Sequence, residues 1–126
     1  MESFKGFEWW NKTITHYQRE INENDEVTFT RVVYDNCSFT SKSEERISNN
    51  DSKIVKVCTV RLLGDVDIKE RDIIALGNID IEIDEYTESQ KSSDFLRNNQ
   101  DSFEVNYVGY NDWLTHTKVQ GDANNN

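Results

Sequence analysis

The chain predicts a mainly β fold, a small barrel or sandwich of about six to eight strands with one short helix and one long polar loop. Three observations predict it. Segments rich in β-branched and aromatic residues alternate with Asn, Asp and Gly clusters along the chain. One stretch alone carries the spacing of a capped helix. The 126 residues suffice for one modest core and not for two.

The first hairpin is predicted over Lys12 to Arg19 and Val27 to Tyr34, flanking the turn-like cluster Asn22 to Asp25. In its second strand Val27, Phe29, Arg31 and Val33 share one face, and Thr28, Thr30, Val32 and Tyr34 the other. From Thr40 to Lys53 the single large apolar residue is Ile47, so this segment has little to bury and is expected to be a mobile loop.

Ile54 to Leu63 is the most apolar stretch and predicts a central strand, ended by Gly64-Asp65. Asp72 to Leu76 predicts another strand. Ile79, Ile81 and Ile83 then alternate with Asp80, Glu82 and Asp84, which predicts a further one after the turn at Gly77-Asn78. The helix is expected near residues 88–99, opened by Thr87 and Gln90 in capping-box spacing and docked by Tyr86, Phe95 and Leu96. A last strand pair, Phe103 to Tyr110 and Trp113 to Gln120, turns at Asn111-Asp112. The domain is therefore expected over residues 1–120, with a disordered tail over 121–126.

Composition narrows the function. A net charge of −10 opposes binding to phosphate backbones, which depends on clustered Lys and Arg. No run reaches the roughly 18 apolar residues of a membrane span. Met1 to Trp10 lacks a basic segment followed by an apolar one, so a soluble protein made inside a cell is expected. Cys37 and Cys58 lack the spacing of zinc or redox sites and are read as buried thiols.

His16 and His116 are far apart and are read as ordinary strand residues. The carboxylates Asp80, Glu82 and Asp84 are read as a solvated strand face, with no metal ligand assigned. A Gly-rich phosphate loop, a Gly-x-Ser-x-Gly elbow and a His-Glu-x-x-His motif are all missing from the sequence. The expectation is a protein that is not an enzyme, with no catalytic, cofactor-binding or metal-binding residue.

The order of parts carries more information than any single motif. The aromatic lead into Trp10-Asn11-Lys12-Thr13-Ile14-Thr15-His16-Tyr17, the run Arg71-Asp72-Ile73-Ile74-Ala75-Leu76-Gly77, and the block from Asp84-Glu85-Tyr86 to Ser92-Ser93-Asp94-Phe95-Leu96 resemble small minor-capsid or head-tail connector proteins of tailed bacteriophages infecting Gram-positive bacteria. The close, from Phe103-Glu104-Val105-Asn106-Tyr107-Val108 to His116-Thr117-Lys118-Val119-Gln120-Gly121, fits the same pattern. The resemblance covers nearly the whole chain through short motifs.

It implies a stopper-like or adaptor-like β-barrel head completion protein in the virion. Copies would form a homo-oligomeric ring, a dodecamer in such proteins, between the portal or adaptor and the tail terminator or tail tube. DNA would pass through the ring without being read. In stoppers of this kind a long loop between early strands closes the channel, and Thr40 to Lys53 stands at a comparable place; Glu44, Glu45 and Asp51 are its candidate channel residues. A ring needs two different patches on each subunit. The candidates are Phe4, Phe7, Trp9 and Trp10 on one side, and Trp113 and Leu114 on the other. Two other readings stand beside this one: a tail terminator or other tail-joining subunit, and a small carbohydrate- or protein-binding module using the aromatics as its platform.

Overall fold

Strand β4, Ile73–Leu76, has only four residues, yet it decides the architecture by pairing on both of its edges. One edge meets β1 (Lys12–Ile21), from Ile14 opposite Leu76 to Tyr17 opposite Ile73. The other meets β5 (Ser102–Asn111), with Ile74 opposite Phe103. The remaining strands are β2 (Val27–Ser48), β3 (Asp51–Leu63) and β6 (His116–Ala123). In this computed structural model, which describes residues 8–113 and 115–123, the six strands close in the order β1-β2-β3-β6-β5-β4 with every neighbour antiparallel. The expected β fold is thus a barrel rather than a sandwich, closed where β4 pairs with both β1 and β5.

The first hairpin forms where expected. The side chain of Asn22 organises its turn, its Oδ1 accepting the N–H groups of Asn24 at 2.8 Å and Glu26 at 3.0 Å. Strand β2 then serves two neighbours in succession: Val27 to Cys37 lie against β1, and Ser38 to Ser48 against β3. The changeover coincides with Asn36 at φ 58°, in the left-handed region that Asn tolerates, and with a register shift between Lys12 and Ile14.

Alternation along β3 sends Cys58, Val60 and Leu62 into the main core, where they meet Ile14, Cys37, Ile74, Phe103, Val105 and Val119. A second cluster of Tyr17, Ile73, Ala75, Ile83 and Phe95 lies where the helix α1 (Ser92–Asn98) docks. There Phe95 meets the Tyr17 ring edge-on, with centroids 5.0 Å apart. Gly121 in β6 faces Val105 beside the bulge between Val105 and Tyr107; a Cβ at this position would collide with the Glu104 carbonyl and the Phe103 ring. Close backbone approach therefore demands glycine here.

Several expectations are corrected. Thr40 to Lys53 is not an irregular loop, since it lies within β2 and β3 as a two-stranded hairpin. Ile79 to Asp84 forms no strand and joins no ladder, and side chains occupy several of its backbone groups. Thr15 Oγ1 accepts the Ile79 N–H at 2.9 Å, Arg31 Nη1 donates to the Ile79 carbonyl at 3.0 Å, and the Tyr17 hydroxyl donates to the Ile81 carbonyl at 2.6 Å. Its alternation is also broken, with Ile83 buried and Ile81 exposed.

The helix starts at Ser92 rather than 88. Thr87 and Gln90, expected as its capping box, form a turn in which the Gln90 N–H donates to the Thr87 carbonyl at 3.2 Å, and the N-cap Lys91 makes no side-chain cap. Tyr86 stays exposed, and its hydroxyl accepts the Val27 N–H at 2.9 Å. Residues 121–123, expected in a disordered tail, complete β6, with Ala123 buried opposite Lys56 and Phe103.

Candidate functional site: a ribbon projecting from the barrel

Strand β6 ends at Ala123 opposite Lys56, but β2 and β3 run on together from the pair Ser43 and Lys56 to the pair Ser48 and Asp51. Six residues on the β2 side at roughly 3.3 Å each make a ribbon about 20 Å long. Its tip is Asn49-Asn50, at φ 50° and 70°. Positive φ at both central residues is the signature of the two-residue hairpin turn whose twist suits the flanking strands. That Asn-Asn pair was the available sequence signal. The absence of apolar alternation hid it, because a ribbon wet on both faces has no core to pattern against.

Side chains fasten the ribbon. Arg46 reaches back to β6 and holds Asp122 bidentately, with Nη1 to Oδ2 at 2.6 Å and Nη2 to Oδ1 at 3.0 Å. This anion, followed by the more distant Glu44, pushes the guanidinium above its ordinary value. The Ser52 hydroxyl donates to Glu45 Oε1 at 2.6 Å across the ribbon, and Lys56 holds Asp101 at 2.7 Å at its base. Arg46, Lys53 and Lys56 balance Glu44, Glu45 and Asp51, so residues 43–56 carry no net charge. The chain's net −10 belongs to the rest of the molecule.

The three candidate channel residues Glu44, Glu45 and Asp51 all lie exposed on this ribbon. They do not converge. Glu44 and Glu45 point to opposite faces by strand alternation, and Asp51 flanks the tip. On the face carrying Glu45 and Ser52 stand Ile47 and Ile54, which are 76 % and 69 % exposed.

The candidate interface aromatics separate. Trp10 is buried edge-on against His116, with centroids 5.6 Å apart, and so belongs to the core rather than to an interface. Trp9 and Trp113 are surface residues, at 67 % and 89 % exposed. Phe4, Phe7 and Leu114 lie outside the described residues.

Among the described residues the wall contains a buried ionisable pair that sequence reading missed. Asp72 accepts hydrogen bonds from His16 Nε2 at 2.8 Å, from the Arg19 N–H at 2.9 Å and from the Lys69 N–H at 3.0 Å. Burial alone would raise its carboxyl, but His16 and the two amides together hold it below its ordinary value. The carboxylate ties the segment leading into β4 onto β1, with all three donors directed at it. Nothing local in the sequence marks this pairing, because 56 residues separate the partners.

Neither cysteine is an activated nucleophile. Cys37 and Cys58 are both buried free thiols. Burial, with Asp35 adding to it, pushes Cys37 up to about 12, and burial likewise raises Cys58. His116 is held below its ordinary value by burial and then by the cations Arg61 and Lys118. Asp80 and Glu82 flank Arg31 at 3.5 and 3.6 Å as an exposed face. No group of three or more His, Cys, Asp or Glu side chains among the described residues could hold a metal ion.

Residues 9–122 match the model of a family of unknown function, DUF6751. No curated protein and no solved structure is matched.

Proposed function

The chain belongs to the family of unknown function DUF6751, and from its geometry we propose that it is a structural protein of the head-tail joint of a tailed phage, acting as a stopper-like ring subunit. The observation that carries this reading is the ribbon: a two-stranded arm, set between early strands of a closed barrel, at the place where the resemblance to head-tail connectors calls for a channel-closing segment. A closed barrel supplies a stiff wall, and an arm about 20 Å long can reach from such a wall toward a ring axis. The acidic remainder of the chain repels phosphates, so DNA would slide past it without sticking.

In this reading the copies sit in the virion between the portal or adaptor and the tail, after synthesis in the bacterial cytoplasm. The function lies in contacts between subunits and in the arm, with no chemical step. The test shortens the arm without breaking the barrel, by deleting residues 44–55 and joining Ser43 to Lys56 through Asn-Gly, a sequence suited to the tight turn. Heads carrying this variant are expected to fill and then lose their DNA. Unchanged DNA retention would remove the gate role.

A further inference from the structure

The hairpin that joins β5 to β6 gathers exposed aromatic surface. Of the five aromatic side chains that stand exposed among the described residues, three belong to it: Tyr107, Tyr110 and Trp113. A shelf of about 390 Å³ opens there, within the ~300–1,000 Å³ of small-ligand sites, and Tyr107, Gly109, Tyr110, Asp112, His116 and Lys118 line it. The Tyr107 ring lies over Gly109, where a Cβ would stand 2.5 Å from its hydroxyl oxygen and 3.0 Å from Cζ. Glycine therefore lets the ring lie down along the strand instead of projecting from it. The polar groups around the rings are unengaged. Asp112 and Lys118 do not pair, and neither their side chains nor the hydroxyls of Tyr107 and Tyr110 hold a hydrogen-bond or ion-pair partner among the described residues. Elsewhere on the surface Arg46 holds Asp122 and Lys56 holds Asp101. His116 is 5 % exposed, and its Nδ1 lacks a hydrogen-bond partner. Burial, then Arg61 and Lys118, hold its imidazole below the ordinary value, so at neutral pH the ring is predominantly uncharged.

We propose that this shelf binds a neutral saccharide, with a sugar ring against Tyr107 and Tyr110 and its hydroxyls on Asp112, Lys118 and the two tyrosine hydroxyls. A sugar ring brings a face of C–H groups for an aromatic side chain to cover and a rim of hydroxyls that both donate and accept. Charge sets the class of ligand. A nucleotide could stack on the same rings, but its phosphates would meet Asp112 at the shelf and a chain of net −10 around it. A purely apolar ligand would cover Asp112 and Lys118 without offering them a hydrogen bond, which is costly. A polyhydroxylated neutral ring serves the cation, the anion and the aromatic faces together. The site uses no residue of the ribbon and does not rest on the head-tail reading.

The test screens the full chain on an array of immobilised neutral and acidic glycans. The best soluble neutral oligosaccharide is then titrated against tryptophan fluorescence, since the exposed Trp113 adjoins Asp112 of the shelf. Neutral glycans are expected to bind saturably, and acidic ones more weakly or not at all. Tyr107→Ala and Tyr110→Ala should each weaken the titrated affinity about tenfold. Both should keep the melting temperature, because the two side chains are 47 % and 44 % exposed. Gly109→Ala should also weaken binding, since its methyl group displaces the Tyr107 ring without removing it. The proposal is overturned if no neutral glycan binds, if acidic glycans bind as tightly as neutral ones, or if affinity is unchanged in both tyrosine variants. The head-tail reading is tested separately, by DNA retention with the shortened arm.

Discussion

The imidazole of His16 in β1 and the carboxylate of Asp72 just before β4 meet at 2.8 Å with both side chains buried, although 56 residues separate them. Asp72 also accepts two backbone N–H groups, so its removal leaves three donors without an acceptor. Asp72→Ala is expected to destabilise the fold by about 3 kcal/mol, the scale for removing one partner of a buried pair, as measured by urea unfolding.

The same carboxylate sets a pH dependence. Its native value lies below the ordinary 3.8, so its contribution is complete above that value and is lost as the pH falls through the depressed native one. Stability followed from pH 6 to pH 2 should drop for the wild type below about pH 4. The drop should be shallower in Asp72→Asn, and equal slopes would mean that Asp72 titrates alike in both states.

The tryptophans should separate by role. Trp10→Ala empties a buried site against His116 and is expected to cost about 3–5 kcal/mol, whereas Trp113→Ala should change stability by no more than about 0.5 kcal/mol. Acrylamide quenching distinguishes them independently, because Trp9 and Trp113 are open to the quencher and Trp10 is covered.

Cys37 and Cys58 should resist a thiol reagent at pH 8 in the folded protein and react fully in denaturant. Both are buried, and burial raises both thiols, Cys37 to about 12. Fast labelling of either in the native state would contradict the core assignment.

Gly121→Ala is expected to destabilise by about 1–3 kcal/mol through overpacking, since the added methyl group runs into the Glu104 carbonyl and the Phe103 ring. Gly64→Ala meets no neighbour, and the strain there comes from φ 79° alone. Thermal unfolding of the two variants separates collision from backbone strain.

How far the fold could be read ahead depended on whether a segment had something to bury. The hairpin of β1 and β2, the central β3, the short β4 and the pair β5 and β6 were legible, because β-branched runs met turn clusters of Asn, Asp and Gly. Ile79 to Asp84 has the alternation of a strand, yet β4 already fills both neighbouring edges, so tertiary closure overrode the local pattern. The ribbon was located by its polarity but mistaken for a loop, because a solvated hairpin shows no hydrophobic period. The carboxylates Glu44, Glu45 and Asp51 were found, while Ile47 and Ile54 as a pair became visible only through the register that sets Ile47 and Ile54 on one face. Trp10 was misassigned since an aromatic lead reads alike whether it faces a partner or His116.

The brevity of β4 bears on how the chain reaches its fold. Five strands can assemble as an open sheet in the order β1-β2-β3-β6-β5, but the two outer edges remain unsatisfied until four residues slot between them. Those residues must bring Ile14 and Ser102 together through Leu76 and Ala75, contacts that are distant along the chain and therefore slow to find. Pairing of Ile73–Leu76 covers both outer edges at once, and a sheet without it would leave the edges of β1 and β5 open to aggregation.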